Sequence, residues 1–191
     1  MVTTTKDRIL EEAARLFTQK GYEATSVQDL AEALGLSKAA LYHHFRSKEE
    51  ILYEVSLLAL RGLVEAGERA LGEPDPKRAL LAFMQGHARF FEENYPFFVT
   101  MLQGIQSLSP ERRAQTVALR DRHEGNLRRI LRWGMEEGAF RQVDVALAGR
   151  AILSMLNWMI RWFRPGGPLR AEEVAQFYFE LVLKGLEDGR S

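Results

Sequence analysis

Residues Ser26 to Lys48 read SVQDLAEALGLSKAALYHHFRSK, two short helices joined by a tight turn. Ser26 caps the first helix, with Asp29 three positions on as its reciprocal partner. Val27, Leu30, Ala31 and Leu34 recur at helical spacing and form one apolar face. Gly35 falls where a helix end favours a left-handed residue. Leu36 plugs the turn and Ser37 caps a second helix. There Leu41 and Phe45 point inward, so Lys38, Ala39, Tyr42 and His43 share the opposite, exposed face. Small, cationic and aromatic groups on a short second helix suit the DNA major groove, which admits one helix and offers base edges to its side chains. A helical hairpin in an ordinary bundle carries the same helix–glycine–helix pattern, so spacing alone leaves both readings open.

Upstream, Thr4 or Thr5 starts a helix that runs to about Lys20, with Ile9, Leu10, Ala13, Leu16 and Phe17 as its inward stripe. Gly21 stops it, and Tyr22 is expected beneath the two-helix unit. From Ala33 to Lys48 there is no acidic residue, while Lys38, Arg46 and Lys48 are basic. The cationic patch is therefore local. Lys38, Tyr42 and Lys48 are the expected phosphate ligands, and Ala39, Ala40 and His43 lie nearest the bases. The exposed face carries no Arg or Gln to read guanine or adenine bidentately, so the helix does not specify a DNA sequence.

The run Thr25-Ser26-Val27-x-x-Leu30-Ala31-x-x-Leu34-Gly35-Leu36-Ser37-Lys38-Ala39-Ala40-Leu41-Tyr42-His43-His44-Phe45-x-Ser47-Lys48-Glu49-x-Ile51-Leu52 resembles the N-terminal DNA-binding domain of the TetR family of transcriptional regulators. The resemblance begins at Ile9-Leu10-x-x-Ala13-x-x-Leu16-Phe17-x-x-x-Gly21-Tyr22 and spans the first third of the chain without a gap. It implies that Thr25 and Ser26, with Val27 beside them, also meet the DNA backbone; free N–H groups at a helix start suit an anion. It further implies a dimer reading a near-palindromic operator of double-stranded DNA, a fourth helix linking head to body, and release by a small-molecule effector.

The chain has 191 residues, 46% of them apolar, with 26 basic and 26 acidic side chains. That length buries a sizeable core. Zero net charge excludes a uniformly basic nucleic-acid coat. With no cysteine, disulfides and thiol catalysis are unavailable, which fits a reducing cytoplasm. No secretory leader or membrane-length apolar run is expected; Ala146 to Phe163 is interrupted by Arg150, Asn157 and Arg161. There is no HExxH, Walker loop or GxSxG. His43 and His44 are adjacent and diverge on a helix, while His87 and His123 could meet across two helices without an acidic partner. The reading is a non-enzyme with no cofactor and no metal.

The expected fold is all-α, about nine helices: a head at 1–47, a linking helix at 48–71 and a ligand-binding and dimerisation body at 72–191. Ser47 to Glu50 reads as a capping box for the linking helix, whose inward face includes Leu58. Gly72-Glu73-Pro74-Asp75-Pro76 is the clearest break. Body helices are expected over 76–94, 96–106, 110–137, 144–163 and 171–186.

The body is dense in large soft side chains, which serve either as plain core or as a cavity wall. Expected cavity residues are Phe91, Phe98, Met101, Leu102, Arg128, Trp133, Met155, Asn157, Trp158 and Trp162. The plainer reading of His87 and Asn157 is an exposed polar face of an amphipathic helix. Arginines on the helix from Pro110 would suit the phosphates of an acyl-CoA, or are a solvated face. The segment Asn157-Trp158-x-x-x-Trp162-Phe163-Arg164-Pro165-x-Gly167-x-Leu169-x-x-Glu172-Glu173, with Leu183-x-Gly185-Leu186 after it, is similar to the C-terminal end of TetR-type repressors of acid degradation. Members of that group control breakdown of fatty, phenylacetic or steroid-ring acids and respond to the CoA thioester, so the resemblance points to an acyl-CoA. A metal- or drug-responsive repressor, or a DNA-binding protein with no effector, is the alternative. Ile152, Leu156, Ile160, Phe177 and Leu181 are the expected homodimer contacts.

Overall fold

In the computed structural model, which describes residues 4–187, the chain forms nine α-helices and two short 3-10 turns, with no strand among the described residues. The helices are α1 (Thr5–Lys20), α2 (Val27–Leu34), α3 (Lys38–His44), α4 (Lys48–Ala70), α5 (Pro76–Glu93), α6 (Tyr95–Gly104), α7 (Pro110–Glu136), α8 (Val145–Trp158) and α9 (Ala171–Leu186). Two compact units result: residues 1–61 with 94–118, and residues 62–93 with 119–191. Both α4 and α7 run through the two.

In the first unit, Ile9, Leu10, Leu16, Phe17, Leu30, Leu41, Phe45, Ile51, Leu52 and Val55 form one buried cluster. Helix α6, read from sequence as part of the body, packs here. Phe97 and Ile105 lie against the cluster, and the Thr100 hydroxyl donates to the Ala14 carbonyl at 3.2 Å. Gly104 permits this approach, since a Cβ there would stand 2.6 Å from Leu52 Cδ1. Two expectations about α4 need correction. Leu58 is 43% exposed, because Val55, Leu57, Ala59 and Leu60 fill the inward face around it. The capping box is displaced by one residue: Ser47 Oγ accepts from the Glu50 N–H, but the Glu50 carboxylate takes the N–H of Arg46.

The second unit is built on the α5–α9 pair. Phe83, Met84, Phe91, Leu127, Ile130, Ile152, Leu156, Met159 and Phe179 are buried. The Glu92 carboxylate accepts the Ala171 N–H at 2.9 Å, satisfying a donor that the start of α9 leaves free. The helix expected to reach Phe163 ends at Trp158; residues Met159–Arg161 tighten into a 3-10 turn, as helix ends commonly do. The helix expected to reach Gln106 ends likewise at Gly104, ahead of the 3-10 turn Ile105–Ser107.

Candidate nucleic-acid interface and effector body

The two-helix unit forms as its sequence dictates. Ser26 Oγ accepts the Asp29 N–H at 3.0 Å, and the Asp29 carboxylate accepts the Ser26 N–H at 2.7 Å. Hydrogen bonds from Ser26, then Lys20 at 3.1 Å, hold the Asp29 carboxyl well below the ordinary carboxylate range. Gly35 adopts φ 64°, a left-handed conformation that costs a Cβ-bearing residue, and the Leu36 N–H reaches back to the Ala31 carbonyl at 2.9 Å. Ser37 Oγ accepts the Ala40 N–H at 3.1 Å and starts α3; a cap of this kind contributes about 1 kcal/mol.

Leu41 and Phe45 are 1% and 2% exposed, and they fix the rotation of α3. Lys38, Ala39, Tyr42 and His43 consequently face solvent, Tyr42 at 49% exposure, and Ala40 is half-buried at the flank. His44 is exposed as well, its ring edge-on to His43. Ser26 is exposed and Val27 half-buried beside it.

Two expected phosphate ligands are engaged otherwise. Thr25 is fully buried, and its hydroxyl donates to the Gly21 carbonyl at 2.8 Å. Its N–H donates to the Tyr22 carbonyl, so neither donor points outward. Lys48 Nζ donates to the Tyr22 and Thr25 carbonyls at 2.8 and 2.9 Å and lies 4.2 Å over the Tyr22 ring. Its long stem folds inward because the turn after α1 brings two carbonyls and a π face within reach, the Tyr22 carbonyl accepting from both Lys48 and the Thr25 N–H. No composition rule reveals such a partner 26 residues away.

The expected cavity residues fall in both units. In the first, Phe98 and Met101 are buried and Leu102 is half-buried. In the second, Phe91 is buried edge-to-face against Phe163; Trp133, Met155, Asn157 and Arg128 are half-buried. Trp158 and Trp162 are 63% and 45% exposed, too open for simple core. Arg128 borders a polar cleft of about 440 Å³, and Trp162 an apolar one of about 210 Å³.

His87 and His123 do meet. His87 Nδ1 lies 3.0 Å from His123 Nε2, both rings are buried, and Phe83 stacks on His123 at 4.7 Å. An exposed polar face for His87 is thereby excluded. Burial, then the neighbouring His123, pushes His87 well down from its ordinary value against a weaker opposing hydrogen bond from Asn157. Burial likewise takes His123 to about 4, opposed by the Leu63 carbonyl. Both rings are neutral near pH 7. Among the described residues no group of three or more His, Cys, Asp or Glu side chains is placed to hold a metal ion. Among those residues, too, no helix is long and apolar enough to cross a membrane.

Of the expected dimer contacts, Phe177 and Leu181 are 59% and 52% exposed and Ile160 is half-buried. Ile152 and Leu156 are instead in the second unit's own core, 2% and 0% exposed. A helix turns 3.6 residues per revolution, so the face of α8 opposite them is Leu147, Ala151, Ser154 and Trp158, all exposed. The sequence reading put Ile152 and Leu156 at the seam and Trp158 in a cavity wall, because apolar spacing alone does not say which stripe of α8 turns inward.

The chain is similar to known proteins over most of its length. A profile of bacterial regulatory proteins of the tetR family matches residues 9–55, and one of tetracyclin repressor-like C-terminal domains matches residues 73–186. The repressor KstR2 of Mycobacterium tuberculosis is 33% identical over 97% of this chain and 94% of its own; its solved structure superposes with a TM-score of 0.91. The TetR family regulator PfmR of Thermus thermophilus is 78% identical, covers 95% of this chain and 100% of its own, and superposes at 0.92. AibR, solved with isovaleryl coenzyme A and operator DNA, is 29% identical over 92% of this chain and 96% of its own, at 0.85.

Proposed function

Since the chain belongs to the TetR family, whose members are transcriptional regulators rather than enzymes, we propose that it is a dimeric cytoplasmic repressor released from a near-palindromic operator by an acyl-CoA. The observation that carries the DNA reading is the outward face of α3, held in one rotation by Leu41 and Phe45. Lys38 and Tyr42 meet phosphates, with Ser26 and Val27 at the flank, and Ala39, Ala40 and His43 meet base edges. Thr25 and Lys48 act from beneath, as supports. One short helix gives little specificity; two, about one DNA turn apart, read a palindrome. Leu147, Trp158, Phe177 and Leu181 supply an exposed apolar face for the second copy.

Residues 1–47 serve as the head, 48–71 as the link and 72–191 as the effector body. An effector that binds better to a body conformation with the wrong head spacing draws the population off DNA. AibR, with its CoA thioester and operator, supports an acyl-CoA as the effector class. The test is selection of bound fragments from genomic DNA, followed by anisotropy titration with a panel of acyl-CoAs and their free acids. Enrichment of a palindrome released by one thioester supports both halves. A palindrome that nothing in the panel releases removes the effector reading. Absence of any enriched sequence removes the DNA reading.

A further inference from the structure

Arg120, Arg128 and Arg150 border one cleft of about 440 Å³ between α7 and α8, with Asp121, Glu124 and Gly125 completing it. Three guanidinium groups thus face two carboxylates. The pairing is uneven. Arg128 is clamped to Glu124, one turn away on the same helix. Its stem lies against α8 where Gly149 leaves room, 3.6 Å from the place a Cβ would take. Its Nε is shielded from solvent and has no hydrogen-bond partner among the described residues. Among the described residues Arg120 pairs only with its chain neighbour Asp121, at 3.6 Å, with both side chains more than half exposed. Arg150 makes no ion pair among the described residues. At Gly125 a Cβ would meet nothing within 4 Å, so that part of the wall is bare backbone beside open space.

An ordinary solvated helix face pairs its arginines in i, i+4 fashion and gains little from each pair. This cleft differs, because its guanidinium groups come from two helices and one has no carboxylate. Planar guanidinium forks match phosphate oxygens two at a time, and adjacent phosphates match several forks together.

We propose that this cleft binds a phosphate-bearing anion of the diphosphate class, and that it holds the anionic end of the effector. The second clause rests on the acyl-CoA reading above; the first stands without it. The Arg128 fork, already oriented by Glu124, is the fixed element. Arg120 and Arg150 close on the ligand from the two helices, and Gly125 leaves the space it occupies.

The test is calorimetric titration of the full chain with inorganic pyrophosphate and with free coenzyme A, at two salt concentrations. The wild type is compared with Arg120→Ala/Arg150→Ala and with Gly125→Leu, which keeps every charge but fills the cleft. These sites are exposed or open, so the variants fold. The expected result is one site per chain, weakened about tenfold or more in both variants, with a salt dependence that the arginine variant reduces. Equal affinity of all three proteins for both probes overturns the site. Operator release by an acyl-CoA at unchanged concentration in both variants overturns the assignment of the effector's anionic end, while the effector reading survives. Variant-sensitive pyrophosphate binding, with no acyl-CoA releasing the operator, keeps the site and removes the effector reading.

Discussion

Lys48 Nζ sits 2.8 Å from the Tyr22 carbonyl oxygen and 4.2 Å above the centre of the same residue's ring. One side chain therefore joins the first residue of α4 to the turn that precedes α2, and a second bond to the Thr25 carbonyl at 2.9 Å fixes its direction. An ammonium with two carbonyls and an aromatic face is already well satisfied, and the cation–π contact adds about 0.5–1 kcal/mol at a partly exposed site. The consequence is a lysine that ties the start of α4 to the turn ahead of the two-helix unit.

Lys48→Met and Lys38→Ala consequently weaken operator binding in different ways. If Lys38 meets a phosphate as proposed, Lys38→Ala is expected to lower the slope of log affinity against log salt by about one. Lys48→Met loosens the support, lowers affinity several-fold and leaves that slope unchanged. Anisotropy titration across a series of salt concentrations separates the two. An equal drop in slope for both variants would return Lys48 to the phosphate contacts.

Phe45→Ala empties a site that is 2% exposed at the end of α3. Large-to-small changes of this kind cost about 3–5 kcal/mol. Urea unfolding is expected to show that loss, and operator binding to fall with it even at temperatures where the chain remains folded. Tyr42→Phe, at an exposed position, is expected to leave urea unfolding unchanged and to weaken operator binding alone.

The paired histidines make stability depend on pH. His123 titrates near 4 in the folded chain and near its ordinary 6.5 when unfolded. The unfolded chain therefore takes up the proton first. Stability from this group is complete above about pH 6.5, declines as pH falls toward 4, and levels off below. The full span corresponds to about 3 kcal/mol. His87 shifts in the same direction and steepens the decline. Urea midpoints measured from about pH 7 down to about 4 are expected to follow this course. In the double variant His87→Leu/His123→Phe the decline between pH 6.5 and 4 is expected to flatten; an unaltered decline would assign it to other groups.

Trp158→Ala and Ile152→Ala probe opposite faces of α8. Ile152 is 2% exposed, so its truncation is expected to cost about 2–4 kcal/mol in unfolding. Trp158 is 63% exposed, and its truncation is expected to change unfolding of the isolated chain by less than about 0.5 kcal/mol. With Phe177→Glu alongside, it is expected to shift sedimentation toward the monomer and to reduce operator affinity at least tenfold. A variant that stays dimeric would place the contact between copies elsewhere.

Local rules determined a good deal here. Capping pairs and glycine stops act over three to five residues, so Ser26 with Asp29, Gly35 in its left-handed turn, and Ser37 ahead of Ala40 could be read directly. Four-residue spacing was enough to turn Leu41 and Phe45 inward and leave Lys38, Tyr42 and His43 outside. Tertiary structure alone decided the matters that depend on which surfaces meet. Lys48 turned inward because the carbonyls of Tyr22 and Thr25 lay within reach. Thr25 disappeared beneath the turn, and α6 packed on α1 in the first unit. Helix α8 used Ile152 and Leu156 for its own core and left Trp158 outside. His87 and His123, 36 positions apart, came within 3.0 Å. Hydrophobicity fixes how much of a helix must be covered, but the choice of covering neighbour belongs to packing between distant segments, and no spacing along one helix records it.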